Sequence, residues 1–516
     1  MTASVTSTMT IPLFPRLHRM ALATSLAILG GCASVTPVPL ADAELKTAVK
    51  SSVERVAAKQ EPITASISLY EAMARALKYN LDYRVELMSQ ALRLSEFELT
   101  RYDMLPQLVA NAGYNARNRE SGSSSRSLLS GRESLEPSTS TEKSIFNSDL
   151  TLSWDILDFG LSYVRAQQKA DEALGAMEQR RKIANRIVED VRTAYWRAVS
   201  AERLLGKMQE LETTVRAALE ESRQLERRGT TSPLAALTFQ RELIQIRAEL
   251  QRLQRDLVVS KRQLGALMNV LPDQEFSLVL PPRQSTSQSF DMEPADMLTN
   301  ALYYRPELRE VRYRARVNRR ELDAVLFKAL PNLRLFAGLN YDSNSYLYKQ
   351  DWVGVGTRAS WNLISAFRYP LAKKAVENQQ ALLDQRELAL TMAVMTEVYV
   401  SRTRFGHLNA ELQTAGERLD IQSRILEKIR AGSQAGSVSK QTLIREEMNT
   451  LAEEVRHDIV FADLQNARAN TYASMGMDTF GPDVTGAESV SALASSLEQL
   501  WTRRDQPRSD AAGSTR

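Results

Sequence analysis

Two periodicities organise this chain. The first is strict alternation over four short segments. In 108–117, Leu108, Ala110, Ala112 and Tyr114 share one side and Asn111, Gly113, Asn115 and Arg117 the other. In 146–155, Phe146, Leu150, Leu152 and Trp154 oppose Asn147, Asp149, Thr151 and Asp155. Segments 333–342 and 353–361 repeat the pattern, with Leu333, Leu335, Leu339 and Tyr341, then Val353, Val355 and Trp361, on the apolar side. Period two predicts β-strands. At about ten residues each, with aromatics near the ends, they match transmembrane strands; a half-buried soluble sheet fits the alternation equally well. The Ser- and Gly-rich stretch 119–144 predicts a flexible, solvent-facing loop.

The second periodicity is helical. Apolar residues return at steps of three and four in Ile187, Val191, Ala194, Ala198, Ala201, Leu205 and Met208, and again from Leu243 to Leu267 and from Leu408 to Ile429. Such spacing predicts long helices packed as left-handed coiled coils, over roughly 161–228 and 370–431. Shorter helices are expected over 69–104 and 294–329, each closed by Leu-Pro. The long helices stop at Arg227-Arg-Gly-Thr-Thr-Ser-Pro233 and Arg430-Ala-Gly-Ser-Gln-Ala-Gly-Ser-Val438, Gly-type terminations followed by caps for a returning helix. Each stop is therefore the end of a hairpin. At 1.5 Å per residue that end lies about 100 Å from the strands.

The order of elements occurs twice. Leu77 and Leu302, Pro106 and Pro331, Gly113 and Gly338, and Asn115 and Asn340 share one offset. Trp154 matches Trp361 at a smaller one, because the first copy has the longer loop between its strands. Residues 65–270 form the first repeat (helix, two strands, long helical hairpin) and 294–478 the second. Segment 271–293 joins them, and 479–516 is expected to be a weakly ordered tail. Four strands cannot close a barrel, and open edges are not tolerated in lipid. Spanning strands therefore require several chains; three would give twelve.

The N-terminus carries Arg16, His18 and Arg19 without an acid, then the apolar run Met20–Leu29, as an export signal does. It ends Leu29-Gly-Gly-Cys32-Ala-Ser, which resembles a bacterial lipobox, and Cys32 is the only cysteine. Residues 1–31 are thus expected to be a lipoprotein signal peptide, with Cys32 acylated and 32–64 a linker containing a short helix. The rest of the composition argues against catalysis. One cysteine and three histidines (His18, His407, His457) leave little for metal or triad chemistry, and no phosphate-binding loop occurs. Acids on the long helices alternate with Lys and Arg, as solvated faces do. A formal charge of +4, spread evenly, opposes a nucleic-acid binder. No enzyme activity and no cofactor are expected.

Ile67-Ser-Leu-Tyr-Glu-Ala72 with Ala76-Leu77-x-x-Asn80, Ala301-Leu302-x-x-Arg305-Pro-Glu-Leu308, the paired Leu-Pro-x-Leu entries, the tryptophans closing the second strands and the Gly-marked hairpin ends resemble the TolC-like outer-membrane efflux family, in its lipid-anchored branch. The resemblance covers most of 65–478. It implies a mixed α and β fold: a homotrimeric outer-membrane β-barrel continuing into a periplasmic α-helical barrel. It implies passive conduction of substrates from an inner-membrane transporter and a periplasmic adaptor that dock at the hairpin ends. The residues placed there are Arg227, Arg228, Gly229, Arg430, Gly432, Gly436 and Lys440. This chain departs from the family in lacking acids at those ends, so cation selectivity does not carry over. The basic residues serve either docking or the helix C-terminal dipoles. The alternative function is a lipid-anchored periplasmic adaptor or coiled-coil envelope scaffold.

Overall fold

The computed structural model describes residues 38–58, 60–134, 136–228, 232–282, 292–478, 480 and 488–505. The expected signal peptide and Cys32 lie outside them. The chain falls into two units, 1–59 and 60–516. The first contains helix α1 (Asp42–Ala57), with Asp42 and Glu44 in its first turn, where the helix dipole favours acids.

In the second unit, α2 (Leu69–Tyr79) and α3 (Leu81–Tyr102) lead into strands β1 (Gln107–Ala116) and β2 (Ser144–Asp155), then the hairpin α4 (Ile156–Arg227) and α5 (Pro233–Leu267). The second repeat follows the same course. It runs α6 (Pro294–Tyr304), α7 (Pro306–Ala329), β3 (Asn332–Asp342), β4 (Asp351–Ser360), α8 (Leu363–Gln434) and α9 (Lys440–Ser474). The single helices expected over 69–104 and 294–329 are each two. Asn80 breaks the first by leaving helical geometry and capping α3 through a bond from the Tyr83 N–H. Pro306 breaks the second, since it disfavours helix at Arg305 and sits at the first position of α7. The long helices also start earlier than expected, α4 directly from β2. Pro370 lies inside α8, where the helix forgoes one hydrogen bond rather than ending. The 119–144 stretch is exposed but not shapeless: bridges Ser123 to Ser138 and Arg126 to Glu133 extend the β1–β2 hairpin.

The four strands form one antiparallel sheet in chain order, β1-β2-β3-β4, so β1 and β4 are its edges. Register pairs Leu108 with Leu152, Leu150 with Leu339 and Leu339 with Val353, which gathers the apolar residues on one side. The helices repeat this arrangement in two rows. Next to the sheet, α3 packs on α4, α4 on α7 and α7 on α8. Towards the hairpin ends, α5 packs on α4, α4 on α9 and α9 on α8. Each row is four helices wide with two open edges, and α4 and α8 run through both. The coiled-coil positions read from spacing are the packed ones: Leu243, Leu250 and Leu257 are buried against Leu204, Met208, Val215, Met448 and Leu451, and Leu408 and Leu412 against Val460 and Leu464.

Two expectations fail at the waist between the rows. Part of the supposed weakly ordered tail is a helix, α10 (Val490–Asp505), whose Val490, Leu493, Leu497 and Trp501 are buried in one core with Met73, Leu77, Val191 and Met268. Its steps of three, four and four are a helical stripe, legible but short. The Arg192 guanidinium lies 4.3 Å from the Trp501 ring centre and that of Arg504 5.1 Å, so both rings of charge and indole are held by cation–π attraction. At its other end the Glu61 carboxylate accepts from the Val490 N–H at 3.1 Å and from Lys78 at 2.7 Å.

Nor are the acids of α4 all solvated. Asp171 is 2% exposed and held by Arg316 and Arg320 of α7. Glu178, fully buried, takes Arg181 at 2.5 Å and Arg309 at 3.3 Å. Arg165 grips Glu321 through two bonds of 2.6 and 3.1 Å. Burial acts to raise the Glu321 carboxyl, but hydrogen bonds from Arg165 and Gln168 outweigh it and leave it below the ordinary value. These pairs form a polar seam between the repeats; a buried charge that loses its partner costs far more than the pair contributes.

Trp501→Ala should lower unfolding stability by about 3–5 kcal/mol, read as a lower thermal midpoint in circular dichroism; an unchanged midpoint would make α10 dispensable to the core. Asp171→Ala removes the shared partner of two partly exposed arginines and should cost about 1–3 kcal/mol, whereas Lys373→Ala, in an exposed pair, should change stability by less than about 1 kcal/mol. Because the Glu321 carboxyl is lowered on folding, its contribution is present above the ordinary carboxylate value and lost as pH falls through the folded one. Glu321→Gln should therefore weaken the neutral-pH fold and flatten its loss of stability in acid, measured by urea titration across pH.

Candidate functional site

Two surfaces of this unit have the chemistry to act on something outside the chain. The first is the sheet. Its apolar side is exposed in the single chain: Val355 at 77%, Val353 at 69% and Leu108 at 63%. Among the described residues of this unit no element covers it, and exposed apolar area of this extent calls for a partner or for lipid. The opposite side is hydrophilic and internally bonded. The Asp149 carboxylate accepts from Asn111 at 3.0 Å and from the Thr151 hydroxyl at 2.9 Å. Asp155 accepts from Asn332 at 2.9 Å and Arg334 at 2.9 and 3.1 Å. The Phe336 ring sits over Gly356, where a Cβ would stand 2.5 Å from it, so the glycine makes the space that the aromatic fills. A sheet with one oily side and one wet side has the two-sided chemistry suited to a wall between lipid and water. Among the described residues, no helix is long and apolar enough to cross a membrane.

The second surface is the pair of hairpin ends. Because α4 leaves β2 without a break and has 72 residues, its far end stands about 108 Å along the helix from the sheet. Arg227 is the last residue of α4 and Arg228 its cap, both exposed; Gly229 lies outside the described residues. The α5 return begins at Pro233, whose missing N–H costs nothing at that position.

The second end is tighter than the repeated glycines suggested. Gly432 does not stop α8 but belongs to it; the stop is Gly436, at φ 75°. The Gly436 N–H reaches the Ser433 carbonyl at 3.1 Å and the Ser437 N–H reaches that of Gly432 at 2.9 Å, the paired bonds of a Schellman termination. A Cβ on Gly432 would come within 2.6 Å of Val438, which fixes glycine at this crossing. Ser439 then caps α9 by accepting from the Thr442 N–H at 3.1 Å, and Lys440 is the first residue of that helix.

The predicted tip residues are brought together in part. Lys440 pairs with Glu221 of the first hairpin at 2.9 Å, and Gln441 donates to Glu242 at 2.8 Å, so the two ends lie side by side. Arg430 turns back along its own hairpin to Glu447 at 3.1 Å. Among the described residues Arg227 and Arg228 have no ion-pair partner. Glu221 and Glu242 were not anticipated: each looks like any helix-face acid, and their partners belong to the other repeat. The histidines stand apart, His407 exposed on α8 and His457 buried on α9.

No protein-family sequence model matches the chain, and no curated protein sequence matches it. Solved structures do. CusC, described in the context of folding and transmembrane channel formation, superposes with a TM-score of 0.60 at 18% identity, over 82% of this chain and 96% of CusC. The Campylobacter jejuni CmeC outer membrane channel gives 0.59 at 13% identity, over 88% and 95%. The open-state Neisseria gonorrhoeae MtrE outer membrane channel gives 0.58 at 17%, over 80% and 89%. Four antiparallel strands set between two long helical hairpins, in a doubled chain, are thus the fold that the resemblance to the TolC-like family implied, and this chain has the fold of these outer-membrane channel proteins.

Proposed function

We propose that this chain is the outer-membrane channel of a multi-component efflux or secretion system, a non-enzymatic homotrimer that conducts solutes passively from an inner-membrane transporter and its periplasmic adaptor. The observation that carries the reading is the match between layers. The sheet is four wide with edges at β1 and β4, and each helical row is four wide with edges at α3 or α5 on one side and α8 on the other. Copies placed edge to edge extend all three rows at once.

The helical edges are dressed for such contact. On α3, Leu81, Val85, Met88, Leu92 and Leu99 lie exposed at steps of four, three, four and seven, the spacing of a coiled-coil seam. On α8, Phe367, Leu371, Leu382, Met392 and Tyr399 are likewise uncovered. Three copies would close twelve strands into a barrel with its apolar side to lipid and Asn111, Asp149 and Asn340 inside. The same closure would turn the helical rows into a tube across the periplasm. In this reading residues 1–31 are removed on export, Cys32 carries the acyl anchor, and the hairpin ends meet the adaptor.

Purified protein reconstituted into planar bilayers should give discrete conductance, and a folded assembly that stays silent would sink the channel. Native mass spectrometry should show a trimer that the double substitution Val85→Asp, Met88→Asp disperses. Reversing charge with Arg227→Glu and Arg228→Glu should abolish export at unchanged trimer abundance; normal export would remove the hairpin ends from docking. Cys32→Ser should eliminate acyl labelling while leaving protein in the outer-membrane fraction, where an adaptor would not sediment.

A further inference from the structure

Charge is distributed unevenly along the hairpins. Between Glu226 and Glu242 the first hairpin has Arg227, Arg228 and Arg241 and no acid. Between Glu427 and Glu446 the second has Lys428, Arg430, Lys440 and Arg445 and no acid. Each chain thus ends in seven cations, and counting the four acids that bound these stretches, Glu226, Glu242, Glu427 and Glu446, still leaves an excess of three. Glu226 is engaged with Gln240 at 2.7 Å.

Partners inside the chain draw off only some of this charge. Lys440 pairs with Glu221, Arg430 with Glu447 and Arg445 with Glu242 and Glu446. Arg227, Arg228, Arg241 and Lys428 are exposed and have no ion-pair partner among the described residues. The pairing acid Glu221 lies six residues back from Arg227, about 9 Å along the helix. That is close to the distance over which salt at physiological strength screens a charge, about 8 Å. Glu226 and Glu427 stand beside Arg227 and Lys428, so the outermost turns keep a net, partly offset, positive potential. The Lys440–Glu221 contact holds the two ends side by side, so their charges add.

We propose that the hairpin-end mouth of the assembled duct prefers anions: small inorganic anions and solutes bearing carboxylate or phosphate enter more readily than cations. The inference rests on the channel reading above. A ring of like charges at the mouth of a low-dielectric tube focuses its field into the opening and concentrates counter-ions there. The other end of the path does not share this bias. On the wet side of the sheet Asp149 lies level with Asn340 and Asp342 with Asn147, while Arg358 stands opposite Arg334, which pairs with Asp155 at 2.9 Å, so acids and bases occur together. The preference is therefore assigned to the hairpin ends.

The full-length protein in a planar bilayer under a KCl gradient near 0.1 M, where the screening length is about 10 Å, should reverse on the chloride side, with chloride passing at least about threefold more readily than potassium. Raising salt towards 1 M, where screening shortens to about 3 Å, should shrink that ratio towards one. Arg227→Glu with Arg228→Glu and Lys428→Glu should bring the ratio below one, with native mass spectrometry confirming an intact trimer; the glutamine variants should fall between. A wild-type preference for potassium, or a ratio that charge reversal leaves in place, would overturn the proposal while the channel stands. Absence of discrete current from a folded trimer would instead remove the channel reading and the selectivity together.

Discussion

An unpaired strand edge exposes a column of backbone N–H and C=O groups, and hydrocarbon offers them nothing in exchange. β1 and β4 are two such edges on a sheet whose broad face is already apolar and uncovered. Each condition sharpens the other. An apolar face can be satisfied by lipid, but entering lipid makes the open edges untenable, and only further strands relieve them. The same constraint reappears in the helices in milder form, as apolar stripes on α3 and α8 that stay exposed among the described residues. A sheet of this kind entering lipid would need further strands at both edges, and the helical rows are four elements wide as the sheet is.

Helix α4 ties these rows together. It leaves β2 directly, packs beside α3 and α7 near the sheet, and continues between α5 and α9 towards the hairpin ends. Where it lies against α7 the interior is polar, with Asp171 and Glu178 buried among arginines, and at the waist, where its neighbours change, it joins the apolar core around Val191. Hydrophobic packing alone would let adjacent helices slide by a turn. Paired buried charges make a shifted register expensive, because each displaced group would be left without its counter-charge. α10 closes the same region from outside, with Trp501 between two guanidinium groups.

Much of this was legible in the residues. Alternation located all four strands to within two residues of their ends, and the shared offset of Pro106 with Pro331 announced the duplication. Heptad spacing picked out Leu243, Leu250 and Leu257, which are buried. What escaped was whatever depends on a distant partner. Asp171 reads as one more acid on a charged helix until α7 is folded against it. α10 reads as tail because four apolar residues in a short stripe carry little weight until a core exists to receive them. Gly432 looked like a helix stop beside Gly436; only the backbone conformation shows that the second is the stop and the first a close crossing. At the hairpin ends the basic residues were visible at once, but the side-by-side placement of the two ends depends on Lys440 meeting an acid from the other repeat.

The sheet's register has a cost in time. β1 and β2 are joined by one loop, but Leu150 finds its neighbour Leu339 only after the first hairpin and two further helices have been made. Until then the first pair of strands is an exposed ribbon with a bare edge and an oily side, the kind of surface on which chains aggregate. Pairings between residues so remote in sequence also form slowly. A polypeptide of this design is most open to aggregation when it is half synthesised.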